Sequence, residues 1–151
     1  MVFESEHFGK INYKKSETIW MAKGLLGFEG SHQFILLSPE EQDPFKWLQS
    51  VDDESLAFLV IDPLLVKPDF NIDINPKDLA ILECKNASDL IIYLLVTIPK
   101  GRIEQMTANL QAPIIINRAN LHAIQLIINE SGHITQYPIF KALEKKLSGD
   151  K

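Results

Sequence analysis

Hydrophobic and polar positions along the chain alternate over short stretches, the two-residue period of strands with one buried face. Residues 3–8 and 10–13 are short, half-apolar pieces around Gly9. Thr18-Ile19-Trp20-Met21 is rich in β-formers, and 33–37 is a strand that stops at Ser38-Pro39. Residues 45–50 set Phe45, Trp47 and Gln49 against Lys46, Leu48 and Ser50, whereas 56–61 is apolar throughout and predicts a central strand. Asp52-Asp53-Glu54-Ser55 between them is a compact turn, so the pair reads as a hairpin. Residues 90–98, 113–117 and 122–128 are three more strands. Ile114, Ile115 and Ile116 are contiguous and β-branched, which predicts burial on both faces. Pro113 lacks the N–H of a sheet ladder and belongs at that strand's first position or on an edge. In the last strand His122, Ile124, Leu126 and Ile128 share a face.

Helix signals are few. Asn75 is placed to cap a helix whose first position is Pro76, giving two turns. Residues 102–105 add a single turn. In the tail, Phe140, Leu143 and Leu147 recur at spacings of three and four, an amphipathic helix ending near Gly149. About ten short strands at this spacing predict an all-β, mainly antiparallel single domain, a barrel or a sandwich, over residues 1–140. One or two short helices decorate it, and residues 141–151 form a polar tail able to make a short C-terminal helix.

Charge narrows the function classes. Twenty acidic against fifteen basic residues give a net charge of −5. That balance is ill suited to phosphate backbones, which demand clustered Lys and Arg. It suits a basic protein partner, and equally plain solubility. A single cysteine, Cys84, excludes an intramolecular disulfide and fits a reducing compartment. Residues 1–6 lack the features of a signal peptide, and the longest apolar run, 90–96, is far short of the ~20 residues that span a bilayer. A cytoplasmic protein is expected.

Catalytic and cofactor chemistry finds no support in the residues. His7, His32, His122 and His133 are scattered without zinc-motif spacing, so no metal or other cofactor is expected. His122, on an apolar face, reads as a hydrogen-bonded core histidine. Cys84 has no Cys-His signature, and no serine sits in a nucleophile elbow. The glycines of 24–30 lack the Lys-Ser or Lys-Thr of a phosphate loop and instead permit a tight connection between strands. Asp52, Asp53 and Glu54 form either a solvated turn or a docking patch for a basic partner. Phe58 reads as core, while Trp47 fits core and interface equally. Asn109, Gln111 and Asn117 carry amides that need partners if buried. Asn109 and Gln111 with His122 are the candidates for the alternative reading, a small-molecule-binding or enzymatic barrel.

Several strings, in order, carry a family resemblance: Gly27-Phe28-Glu29, Phe45-Lys46-Trp47-Leu48-Gln49-Ser50, Leu56-Ala57-Phe58-Leu59-Val60-Ile61-Asp62-Pro63, Val96-Thr97-Ile98-Pro99, the run from Met106 through Gln111-Ala112-Pro113 to Asn117, and Tyr137-Pro138-Ile139. With these the chain resembles the FliW family of flagellar assembly factors over nearly its whole length. The resemblance implies a barrel-like fold without catalytic activity and two alternative partners: flagellin, and the carbon storage regulator CsrA, a small basic protein that represses flagellin translation. By residue type, Phe28, Trp47 and Met106 are the candidate groove residues, and Glu29, Asp52, Asp53 and Glu54 the candidate rim. Met21-Ala22 and Leu26 stand where the family usually has a Phe-Pro pair and a second proline, so a less rigid first glycine loop is expected.

Overall fold

A computed structural model describes residues 1–128 and 134–147. His133 and the expected helix end near Gly149 lie outside the described residues. The elements in chain order are β1 (Val2–Ser5), β2 (Gly9–Asn12), β3 (Ile19–Met21), β4 (Gln33–Leu37), β5 (Lys46–Ser50), β6 (Ala57–Ile61), α1 (Pro76–Ile81), β7 (Leu90–Thr97), β8 (Thr107–Ala108), β9 (Ile114–Asn117), β10 (His122–Gln125), β11 (Tyr137–Pro138) and α2 (Phe140–Leu147). Single 3-10 turns fill several connections, among them Ile103–Gln105 where a turn was expected.

Seven strands close into a barrel in the order β7-β6-β5-β4-β3-β10-β9, with β9 pairing back onto β7. Every pairing is antiparallel except β3 with β10. The all-β, mainly antiparallel, barrel-like expectation is met, as is the helix at the C-terminal end. Closure rests on β7, whose eight residues are enough to pair with three neighbours. Leu90–Tyr93 pair with β9, Leu94 and Leu95 with β6, and Val96 and Thr97 with β8. The separate β1–β2 hairpin lies on the outer wall.

Alternation sorts side chains between the barrel interior and two outer layers. Each of the seven strands sends residues inward: Ile19 and Met21, Phe34, Leu48, Val60, Tyr93, Ile114 and Ile116, and Ala123. The intervening residues face outward. Ile115 and Ile124 pack with Leu82 under α1. Ile61, Leu94, Met106 and Ala108 pack with Ile139 and Leu143, where α2 lies across the wall. The run Ile114–Asn117 is therefore buried on both faces, as its β-branched composition predicts.

The last strand stops at Gln125 rather than continuing to residue 128. Its partner β9 begins after Pro113, which has no N–H to return, so beyond Gln125 the pairing continues as one-way bonds, Leu126 N–H to the Pro113 carbonyl (2.9 Å) and Ile128 N–H to the Gln111 carbonyl (2.7 Å). His122 is half-buried on the outer wall and not a core residue; its backbone N–H, rather than its ring, is bonded, to Asn120 Oδ1.

Helix α1 is closed at both ends. The Asn75 side chain accepts the Asp78 N–H (2.9 Å), and Pro76 occupies the first position, as expected. At the other end the Glu83 N–H donates to Ala80 and the Cys84 N–H to Leu79, both at 3.0 Å, the paired bonds of a Schellman motif. The Asn117 and Asn120 amides then donate to the Leu82 carbonyl at 2.9 and 3.0 Å. The buried Asn117 amide thus finds the partner it requires and ties the helix end to β9. The motif holds Glu83 at φ +52°, a conformation that suits glycine. Glu83→Gly is therefore expected to stabilise the protein by about 1 kcal/mol in urea unfolding, while Glu83→Ala brings no gain.

Candidate partner-binding site

The β3–β4 connection, the β5–β6 turn and the ends of β7 and β10 meet at one mouth of the barrel, as the strand directions require. The segment 24–30 covers this mouth. Gly24 adopts φ +64°, and a Cβ there would lie 2.8 Å from the Glu29 Cα and the Phe28 carbonyl oxygen. Only glycine allows the loop to fold back that closely. Leu25, 1% exposed, enters the barrel interior, which forces Leu26 outward at 70% exposure. Phe28 stands between them, 43% exposed and edge-on to Phe58 at 5.2 Å.

Hydrogen bonds hold this loop, which carries no proline. The Phe28 N–H donates to Leu25 O (2.7 Å), the Gly27 N–H to Glu29 Oε2 (3.1 Å), and the Ser31 N–H to Phe28 O (3.1 Å). The Gln125 side chain adds a brace from β10. It accepts the Leu26 N–H (2.8 Å) and donates to the Ala112 carbonyl (3.2 Å). The looser loop expected from Met21-Ala22 and Leu26 is thus tied by four hydrogen bonds, and the Gln125 brace is itself anchored on Ala112. The Gly27 and Glu29 N–H groups facing it hold the Glu29 carboxyl below its ordinary pKa.

The acidic turn lies at the same mouth, and its three carboxylates differ in freedom. Asp52 accepts the N–H groups of His32 (2.9 Å) and Gln33 (3.0 Å), tying the turn to the end of the glycine loop. Asp53 accepts the Ser55 hydroxyl (2.7 Å) and N–H (3.0 Å); the hydroxyl first, then the N–H, lowers its pKa. Glu54 extends into solvent, and its backbone carbonyl accepts the Glu6 N–H (2.9 Å). Glu6 thereby joins the acidic edge. No local pattern announces this, because the β1–β2 hairpin is docked by contacts distant in the chain: the buried Ser5 hydroxyl to Gln49 Oε1 (2.7 Å), and His7 Nε2 to the Ser55 carbonyl (2.8 Å). The two ion pairs among the described residues, Lys67–Asp69 and Arg118–Asp89, involve none of these carboxylates.

Two of the residues grouped by type lie elsewhere. Trp47 is half-buried near the start of β5, toward the opposite end of the barrel. It rests edge-on against Phe8 at 5.4 Å and donates from Nε1 to Gln42 Oε1 (2.7 Å). Met106, 3% exposed, is packed under α2 with Ile61, Leu94 and Ile139 and lines no surface, because the outer layer covers its wall. Phe28, Glu29, Asp52, Asp53 and Glu54 are the nominated residues that the fold does gather. The pocket residues of the alternative reading do not converge. His122 starts β10 at the far mouth, while Asn109 Oδ1 is occupied by the Gln111 and Ala112 N–H groups. A cleft of about 300 Å³ at that far mouth is lined by Asp62, Leu64, Phe70, Asn71 and Ile72 among others. Among the described residues no three metal-ligating side chains cluster, and no helix is long and apolar enough to cross a membrane.

Seven short strands around a side-chain-filled interior, with exposed apolar and acidic groups on the loops of one mouth, define a small single-barrel β protein. The family model described as FliW protein matches residues 2–139. The flagellar assembly factor FliW of Caldanaerobacter subterraneus subsp. tengcongensis is 40% identical over 149 residues, covering 98% of this chain and 99% of that protein. That of Thermoanaerobacter pseudethanolicus is 38% identical over 149 residues, with the same coverage of 98% and 99%. A crystal structure of the flagellar assembly factor FliW superposes with a TM-score of 0.86 at 30% identity, covering 93% of this chain and 97% of that one. The chain belongs to the FliW family of flagellar assembly factors.

Two substitutions test the mouth. Gly24→Ala combines positive-φ strain with a backbone clash and is expected to cost about 2 kcal/mol or more in urea unfolding. Ser55→Ala removes the main cause of the Asp53 shift, so the Asp53 carboxyl, followed by NMR titration, is expected to move up toward the ordinary aspartate value of about 3.9.

Proposed function

We propose that this protein is a non-catalytic, cytoplasmic regulatory factor that binds flagellin and, when free of flagellin, binds the carbon storage regulator CsrA. In the second state it relieves the repression of flagellin translation. The observation that carries the reading is the acidic edge of the mouth. Glu6, Asp52, Asp53 and Glu54 stand together, and none forms an ion pair among the described residues. Such an edge retains its field for a basic partner and disfavours a phosphate backbone near the same surface.

No bond making is needed for this role. A switch requires only that the two partners oppose one another's binding, by a coupling on the order of 1–3 kcal/mol. Export of flagellin then frees the factor, and the factor in turn occupies the regulator.

The test follows from the unequal freedom of the carboxylates. Asp52 and Asp53 cap backbone groups, so replacing them perturbs the turn itself. Glu6 and Glu54 are exposed and serve as cleaner probes. The double substitution Glu6→Lys with Glu54→Lys is expected to slow association with purified CsrA by on the order of tenfold at low salt and to flatten its salt dependence, read by stopped-flow. Unchanged association rates would remove this edge from the interface. No binding of either CsrA or flagellin by the unaltered protein at micromolar concentration would overturn the reading itself.

A further inference from the structure

At the mouth opposite the acidic edge, β7 outruns its neighbour β6. The two strands pair at Val60 with Leu95 and Ile61 with Leu94, and there β6 ends. In the same register the place facing Ile92 falls to Pro63, which has no N–H to offer a ladder. The Asp62 carboxylate accepts the Leu64 N–H (2.9 Å) and turns the chain aside into the 3-10 turn Pro63–Leu65. Leu90–Tyr93 therefore overhang the end of β6 and are paired on their β9 side alone. Two bonds show which way the backbone of this overhang points. The Asp89 carbonyl accepts the Arg118 N–H (2.8 Å) and the Leu95 carbonyl accepts the Asn109 N–H (2.9 Å), so the odd-numbered residues face β9 and β8. Leu90 and Ile92 face the side that β6 has left. The Leu90 N–H is taken by the Ala87 carbonyl. The Leu90 carbonyl and the N–H and carbonyl of Ile92 have no hydrogen-bond partner among the described residues.

This overhang is one side of the cleft of about 300 Å³ at the far mouth. Leu64, 53% exposed, with Phe70 and Ile72 forms the apolar walls around it. An acceptor, a donor and a second acceptor in line along one strand are the pattern of a sheet ladder, and another backbone in extended form matches it. Charge limits what that backbone carries. Asp62 stands at the lip of the cleft, and Asp73 follows Ile72. Neither forms an ion pair among the described residues, and no lysine or arginine lines the cleft. A basic side chain is attracted to this lip and an acidic one repelled.

We propose that the cleft takes an extended peptide segment as an added strand along Leu90–Ile92, with apolar side chains against Leu64, Phe70 and Ile72 and a lysine or arginine at Asp62. The added strand runs antiparallel to β7, in the line that β6 leaves at Asp62. It exchanges both backbone bonds with Ile92 and gives an N–H to the Leu90 carbonyl. Main-chain bonds supply the affinity, and the alternate side chains supply the selectivity. The inference does not depend on either partner named above, since it concerns a different surface and a ligand recognised through its backbone.

The test uses the full chain and the peptide fluorescein-Lys-Val-Thr-Val-Thr-Val-amide, followed by anisotropy and by amide NMR of the isotope-labelled protein. Saturable binding is expected, with hydrogen exchange of the Ile92 N–H slowed by about tenfold or more in the complex. An analogue N-methylated at both central residues cannot pair along either edge and is expected to bind about tenfold more weakly, or worse. With glutamate in place of the lysine, binding is expected to weaken by about threefold, a difference that Asp62→Asn removes. Asparagine keeps the oxygen that accepts the Leu64 N–H, so the turn is retained. Absence of saturable binding up to millimolar peptide would overturn the proposal. So would equal binding of the N-methylated analogue, or binding that leaves the Ile92 amide unchanged. A lysine preference that survives in Asp62→Asn would overturn the charged contact. Protection of Ile92 that grows with protein concentration in the absence of peptide would give the cleft to a second copy of the chain and overturn the proposal as well.

Discussion

Closure of the barrel is the constraint on which the rest depends. Seven strands of three to eight residues cannot each supply a long ladder. They are stable as a set because every barrel strand has a neighbour on both sides, which leaves no open edge within the ring. One long strand makes this possible, with β9 and β8 sharing its length opposite β6. The parallel β3–β10 contact, two residue pairs long, completes the ring. Outer layers under α1 and α2 then cover apolar residues that the alternation of the strands necessarily turns outward.

A barrel of this size has little interior to spare. Phe34, Met21, Leu48, Ile114 and Ile116 fill it, and Leu25 descends from the loop above to plug the mouth. The exposed groups of the mouth are therefore carried by the connections. The mouth carries apolar side chains held outward and carboxylates that form no ion pair among the described residues. Its carboxylates also serve the fold: Asp52 and Asp53 each cap two donors. Sequence position gives no hint of that division of labour between them and Glu54.

Local patterns revealed most of the elements and little of their assembly. β-Branched and alternating runs mark β3 through β7 and β9, because strand propensity and a buried face leave a two-residue signature. The Asn75-Pro76 pair marks α1 because capping chemistry is local. Ordered strings sufficed for the family resemblance. What could not be read is non-local. The β7–β9 and β3–β10 pairings join segments more than 20 residues apart. Met106 follows an exposed 3-10 turn, and only the arrival of α2 and Ile139 buries it. Trp47 and the acidic turn are neighbours in sequence but lie toward opposite ends of an extended strand. Glu6 reaches the turn through a hairpin docked by Ser5 and His7. The loop that lacks prolines is steadied by an amide nearly one hundred residues away.

That amide, Gln125, links the glycine loop to the ends of both β9 and β10. The loop consequently shares the stiffness of the barrel wall instead of behaving as a tether. A ligand settling on Leu26 and Phe28 would meet side chains whose backbone is already immobilised, so most of the configurational entropy is surrendered when the chain folds and little remains to be lost on association. A complex formed at this mouth would carry the thermodynamic character of two rigid bodies meeting, without the entropic penalty of coupled folding.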